Sequence, residues 1–170
     1  GADVIWMEGS PFELLGKAWE SWLQDGAIAQ ASIDEVVTCK RSLANFWRQY
    51  VAEGFTDDDD RILQVNWCTR RDGISWGDLG ERHRAGRENM NSNIGAWAVM
   101  FPAKGMREGY YPGEFAHMMF FTDMTSLMRY QEYFTNGEGW RVREEYYKNF
   151  ASCTGENVYS SKVIHRPTSN

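Results

Sequence analysis

Alternation of apolar and polar side chains predicts four strands in the last two thirds of the chain. In Arg61–Thr69 the period of two is regular and places Leu63, Val65 and Trp67 on one face and Gln64, Asn66 and Cys68 on the other. Three further segments rich in aromatic and β-branched residues are predicted strands: Asn93–Ala103, Glu114–Thr122 and Asn157–His165.

The segments between these predicted strands have the residue patterns of helices. Ser75 and Asp78 form a capping-box pattern that starts a helix over residues 75–88. Thr122 or Asp123 starts a second helix that runs through Phe134, and Asn136-Gly137 ends it. Residues 139–150 permit another helix, so the predicted order is β-α-β-β-α-β.

The N-terminal segment predicts strand, helix and strand. Residues 3–8 are rich in Val, Ile and Trp, and Ser10–Glu13 then reads as a capping box with proline at the first helical position. Asp25-Gly26 ends that helix, and a shorter helical piece opens at residues 32–35. Ser42–Val51 is the predicted closing strand, with a helix over Trp47–Tyr50 as the alternative.

The two parts of the chain are weakly self-similar. A shift of 111 residues aligns Asp3–Gly26 with Glu114–Gly137 and matches Met7 with Met118, Trp19 with Tyr130, Trp22 with Tyr133 and Gly26 with Gly137. An offset of 114 then places Val37–Cys39 on Ala151–Cys153. Such a repeat predicts a duplicated supersecondary unit.

The four adjacent carboxylates of Asp57–Asp60 are the best linker candidate, since like charges repel and favour solvent. Calcium binding is the alternative, although the run lacks the alternating ligands and turn glycine of an EF-hand loop. The predicted domains are therefore residues 2–56, a partial repeat, and residues 57–170, a complete unit.

The β-α-β-β-α-β order of residues 61–166 resembles the ferredoxin-like fold of the dimeric α/β-barrel superfamily. That superfamily includes cofactor-independent monooxygenases of the antibiotic-biosynthesis type, EthD-like proteins and stress-responsive barrel proteins. The resemblance implies an α+β fold, with an antiparallel sheet and helices on one face. The N-terminal copy matches the second half of such a unit.

Charge and composition narrow the classes of partner. The net charge of −6 and the lack of a Lys/Arg stripe argue against nucleic acid, and no apolar run approaches the ~20 residues of a membrane span. Aromatic residues make up 15% of the chain and include eight Trp. They favour a bulky core or subunit interface, with a ligand-stacking surface as the alternative.

Three cysteines, Cys39, Cys68 and Cys153, show no CxxC or Cys/His cluster, so a zinc site is not expected. Cys39 and Cys153 occupy equivalent repeat positions, which suits either small buried residues or a disulfide between the copies. Arg70-Arg71 reads as surface charge or as a site for an anion.

In barrels of the resembled kind, one sheet face lines a cavity, and alternation nominates polar residues for it. The candidate pocket consists of Gln64, Asn66, His117 and Tyr159, with no metal and no cofactor expected. His117 lies mid-strand among apolar neighbours, where an imidazole acts as a base or a ligand, or is a satisfied core residue. The chain contains no G-x-S-x-G, G-x-G-x-x-G or P-loop motif.

The expected function is therefore that of a small-molecule-binding or structural scaffold that forms a homodimer. The alternative is a cofactor-independent monooxygenase-type enzyme acting on a small organic substrate. The sequence assigns no compartment.

Overall fold

A computed structural model of the chain describes residues 4–38, 43–103 and 111–166. The chain divides into two compact units, Gly1–Arg41 and Ser42–Asn170. The second unit contains every strand of the described residues.

The first unit is helical. Helix α1 spans Phe12–Asp25 and helix α2 spans Ala27–Asp34. Pro11 is the N-cap of α1 and no side chain caps the helix, so the predicted capping box over Ser10–Glu13 does not form. The strand predicted at residues 3–8 is also wrong for residues 4–8, which have no regular structure. A single strand needs a hydrogen-bonded neighbour, which residues 4–8 lack.

The second unit contains one five-stranded antiparallel sheet. Its strands are β1 (Ala44–Val51), β2 (Asp60–Arg70), β3 (Ala96–Pro102), β4 (Phe115–Phe121) and β5 (Ala151–Lys162). Their order across the sheet is β1-β3-β4-β2-β5. The predicted α+β class and antiparallel pairing of the two middle strands are confirmed, with Val99 opposite His117 in the β3–β4 ladder. Strand β1, predicted as part of the N-terminal copy, pairs with β3 in this unit.

Three helices connect these strands: α3 (Trp76–Glu88), α4 (Met124–Asn136) and α5 (Gly139–Asn149). A 3-10 turn, Phe55–Asp57, precedes β2. The predicted capping box of α3 is present, because the Ser75 side chain accepts from the Asp78 amide and the Asp78 carboxylate accepts from the Ser75 amide. The Asp123 carboxylate caps α4 by accepting from the Ser126 amide.

Both faces of the sheet bury apolar side chains. The face that packs against α3, α4 and α5, called here the helix side, buries Cys68, Leu79, Val99, Phe115, Phe121, Leu127 and Tyr130, among others. The opposite face, called the outer side, buries Leu63, Val65, Ala116 and Met118. Alternation along β2 and β4 produces this division, since neighbouring residues point to opposite faces.

The acidic run Asp57–Asp60 is more structured than a linker. The Arg166 guanidinium lies 2.7 Å from an Asp59 carboxylate oxygen, and Arg61 donates to the Asp58 carbonyl oxygen at 2.7 Å. Asp60 is already the first residue of β2. Cations therefore offset the repulsion between these carboxylates.

A disulfide joins Cys68 of β2 to Cys153 of β5. These residues are directly opposite in the antiparallel ladder, so their Cα atoms are only 4.0 Å apart. The suggested bridge between Cys39 and Cys153 is wrong, since Cys153 bonds Cys68; Cys39 itself lies outside the described residues. The repeat register could not reveal this pair, because Cys68 has no counterpart in the N-terminal copy.

Candidate functional site

The four residues predicted to line one pocket lie on two faces of the sheet. Gln64, Asn66 and His117 point to the helix side, where Asn66 is directly opposite His117 in the β2–β4 ladder. Tyr159 lies on the outer side, opposite Leu63, and packs against the outer apolar cluster. The helix-side residues are therefore one group, and Tyr159 belongs to separate surroundings.

His117 is held by aromatic side chains from a strand and a helix. The Trp97 indole N–H donates to His117 Nδ1 at 3.1 Å, and His117 Nε2 lies 3.0 Å from the Tyr146 hydroxyl oxygen. The same hydroxyl lies 2.9 Å from Nε2 of His83, which is only 2% exposed. Trp97, His117, Tyr146 and His83 thus form a continuous chain, called here the His–Tyr–His chain.

The direction of these hydrogen bonds follows from the indole, which is a donor and never an acceptor. His117 Nδ1 must accept, so the proton of the neutral ring is on Nε2 and is donated to the Tyr146 oxygen. Tyr146 then donates its own proton to His83 Nε2. This leaves the proton of neutral His83 on Nδ1, an atom that is buried without a partner.

Burial keeps both imidazoles neutral. Desolvation lowers the pKa of His83 to about 4, and the nearby Arg82 cation acts in the same direction. Desolvation also lowers the pKa of His117 well below its usual value, with a further contribution from His83, whose ring centroid is 5.0 Å away. Desolvation raises the pKa of the Tyr146 hydroxyl. The chain therefore consists of neutral groups across the ordinary pH range.

Two buried amides extend the polar interior along β2. Asn66 donates from Nδ2 to the Tyr147 hydroxyl at 3.2 Å, while its Oδ1 is buried and unpaired. Gln64 is fully buried and accepts from Gln131 Nε2 at 3.3 Å, while its own Nε2 is unpaired. One donor and one acceptor therefore remain unsatisfied on neighbouring positions of the same face.

Sequence reasoning found His117 but not its partners. His83 lies in α3 on the buried face that also carries Leu79. The available signal was a histidine on the inward face of a helix, which requires a polar partner in the core. The sequence around Tyr146 does not mark it as a partner of His117, because its neighbours on α5 are also aromatic or charged.

The remaining candidate features have structural partners. Arg70 forms a two-pronged ion pair with Glu114 and lies 3.9 Å over the Trp76 ring, and Arg71 Nε donates to the Tyr147 carbonyl oxygen. Within residues 4–38, 43–103 and 111–166, no three His, Cys, Asp or Glu side chains are grouped closely enough to hold a metal ion. No helix in those ranges is long and apolar enough to cross a membrane.

Two shallow surface grooves are present. Asn91, Asn93, Arg129, Glu132 and Tyr133 line most of one groove at the ends of α3 and α4. The other lies along α5 and is lined by Trp140, Arg143, Glu144 and Tyr147. Tyr147 connects this second groove to the buried polar groups through its hydrogen bond with Asn66. No protein-family model, curated protein or solved structure matches this chain.

Proposed function

We propose that this protein is a ferredoxin-like scaffold that self-associates and has a structural or small-molecule-binding role. It is not proposed to be an enzyme with a preformed catalytic centre. The observation that carries this proposal is the closure of the His–Tyr–His chain. Its polar groups bond mainly one another, because Trp97 donates to His117, and both imidazoles lie within hydrogen-bond distance of the Tyr146 hydroxyl. Neutral imidazoles whose nitrogens already bond within the core stabilise the fold, and they are poorly placed to act as a base on a substrate.

The strand arrangement supports the ferredoxin-like assignment. Strands β3, β4, β2 and β5 are neighbours in that order, with α3 between β2 and β3 and with α4 and α5 between β4 and β5. The duplication remains part of the proposal. A shift of 111 residues carries α1 onto residues 123–136, which nearly coincide with α4.

A second copy of the chain is the proposed partner for the outer side of the sheet. Apart from Arg61 at the start of β2, the outer-side positions of β2, β3 and β4 carry no charged residue. Four of these side chains are buried within the chain, and the partly exposed ones proposed to meet a partner are Trp67, Ala96, Ala98, Met100 and Phe120. A two-fold interface must be complementary to itself, and an uncharged apolar patch meets that condition. The chain has a net charge of −6, so the charged surfaces of two copies repel each other. This repulsion favours contact at the apolar patch over contact at other surfaces.

Sedimentation equilibrium at micromolar concentration tests this proposal. We expect the wild type at twice the 19.7 kDa chain mass, and Ala98→Glu at the chain mass, because Ala98 lies opposite Met118 on the outer side. Val158→Glu is the matched control, since Val158 lies opposite Gln64 on the helix side and is 45% exposed. A wild-type monomer would contradict self-association, and an Ala98→Glu dimer with native circular dichroism would contradict the outer side as the interface.

The second candidate function is a cofactor-independent monooxygenase-type activity on a small organic substrate. The observation favouring it is the position of Asn66 opposite His117, with Asn66 Oδ1 unpaired and His117 incompletely buried. Oxygen uptake with a panel of quinols tests it. Uptake that disappears in Asn66→Leu and His117→Phe would favour the enzyme and overturn the scaffold proposal.

A further inference from the structure

The Tyr146 hydroxyl has an arrangement that no other tyrosine shares among the described residues. It lies between two imidazoles, accepts from His117 Nε2 at 3.0 Å and donates to His83 Nε2 at 2.9 Å. Because Trp97 sets the direction of the chain, the neutral His83 imidazole accepts a hydrogen bond from the Tyr146 hydroxyl. Tyr130 is more deeply buried than Tyr146, at 8% exposed, and its hydroxyl has no hydrogen bond to an imidazole among the described residues.

We propose that Tyr146 is a redox-active tyrosine whose oxidation is coupled to proton transfer to His83. One electron leaves the phenol for a one-electron oxidant at the surface, such as a radical or a high-valent metal complex. At the same time the Oη–H bond breaks and an N–H bond forms at His83 Nε2. The products are a neutral phenoxyl radical and an imidazolium, and one-electron reduction returns the proton to the oxygen.

Proton transfer is the step that makes this oxidation accessible. A phenol that loses an electron while keeping its proton becomes a radical cation, which is a far stronger acid than the His83 imidazolium, even with the pKa of that imidazole lowered to about 4. A base already within hydrogen-bond distance removes that proton without any rearrangement of the protein. The bond from His117 remains in place and stabilises the phenoxyl oxygen.

A path of aromatic rings joins Tyr146 to the surface. Its ring centroid lies 6.3 Å from that of Tyr147, and Tyr147 lines the groove along α5 with Trp140, which is 43% exposed. On the inner side, the Trp97 ring lies 5.4 Å from His83 and 5.7 Å from His117. The ring contacts therefore lead from Tyr146 to Tyr147 at the surface groove, where an oxidant would bind. Oxidising equivalents would move along these rings between the surface and Tyr146, which is a role beyond that of a scaffold.

The test is electron paramagnetic resonance after oxidation of the whole chain by photogenerated ruthenium(III) tris-bipyridine, trapped by freezing. We expect a tyrosyl radical in the wild type and its loss in Tyr146→Phe. Tyr130→Phe is the matched control and retains the signal, because Tyr130 is a buried tyrosine without an imidazole partner. An undiminished signal in Tyr146→Phe would overturn the proposal.

A second variant isolates the proton acceptor. His83→Gln keeps a hydrogen-bond acceptor opposite Tyr146 but cannot take up the proton, so we expect the signal to be lost while circular dichroism stays native. A retained signal in the folded variant would overturn the coupling to His83.

If His83→Gln does not fold, the wild type alone decides the question. The radical yield should fall in deuterated solvent, and it should fall again as pH drops through the His83 pKa of about 4. The charged and titratable groups facing His83 are Arg82, His117 and Tyr146. A yield unaffected by both deuteration and pH would contradict the proposal.

Discussion

Trp97 donates its indole N–H to Nδ1 of His117 at 3.1 Å, and this bond fixes the direction of the whole His–Tyr–His chain. Because Trp97 is 8% exposed, water does not compete effectively for either atom. One donor on β3 therefore decides which nitrogen carries the proton on His117 and, through Tyr146, on His83.

Replacing Trp97 with Phe should remove this control. The change leaves His117 Nδ1 without a donor and opens space in the core, so we expect a loss of about 2–4 kcal/mol in the free energy of unfolding. In the wild type, nitrogen NMR should show His117 protonated at Nε2 and His83 at Nδ1, and in the variant this preference should weaken. Trp140→Phe is the control, because Trp140 is 43% exposed, and it should change neither property. The opposite His117 tautomer in the wild type would contradict the assignment.

Acid should destabilise the second unit through His83, which is buried, and His117, which is partly buried. The pKa of His83 is about 4 in the folded chain and near 6.5 when unfolded, so the unfolded state binds the extra proton first as pH falls. The free energy of unfolding therefore has its full value above about pH 6.5 and falls between that pH and about 4. The loss due to His83 is on the order of 3 kcal/mol. His117 acts in the same direction.

Urea denaturation at several pH values in this window measures that loss. His83→Gln should show a shallower fall in stability than the wild type, since one of the two groups no longer titrates. Equal slopes would show that His83 is charged, or accessible to protons, in the folded chain.

Gln64→Leu should be close to neutral for stability, in contrast to most polar-to-apolar changes that break a hydrogen bond. Gln64 is fully buried with an unpaired Nε2, so the substitution removes an unsatisfied donor while it also removes the acceptor for Gln131. Gln131 keeps its second bond, to Glu156 at 3.2 Å. We expect a change within about 1 kcal/mol by chemical denaturation. A loss of about 2 kcal/mol or more would mean that Gln64 Nε2 has a partner, such as a bound water.

Removing the disulfide should destabilise the pairing of β5 with β2. Cys68→Ala/Cys153→Ala is expected to lower the free energy of unfolding by roughly 2–4 kcal/mol, because the bridge closes a loop with a sequence separation of 85 residues. The wild type with a reducing agent should shift by a similar amount. Cys39→Ser is the control and should retain both the stability and the Cys68–Cys153 cross-link, as checked by peptide mapping. A bridge between Cys39 and either cysteine would contradict the described pairing.

The sequence by itself determined the local elements with strong periodicity or capping chemistry. The period-two pattern of Arg61–Thr69 is the interior strand β2, and the Ser75–Asp78 box starts α3. These features depend on side chains within a few residues of one another, so the sequence contains the information directly. The strand expected at residues 3–8 had β-rich composition without a partner, and composition does not supply a neighbouring strand.

Tertiary structure decided which polar residues meet. Alternation grouped Gln64, Asn66 and His117 with Tyr159, but it cannot determine which face of β5 matches which face of β2, because a shift of one residue reverses the face. The ladder places Tyr159 opposite Leu63, on the outer side. His83 and Tyr146 join His117 from two helices far apart in the chain, at positions set by helix packing against the sheet. Only that packing brings His83, Tyr146 and His117 together, since their contact depends on the distance between elements and not on any pattern within one.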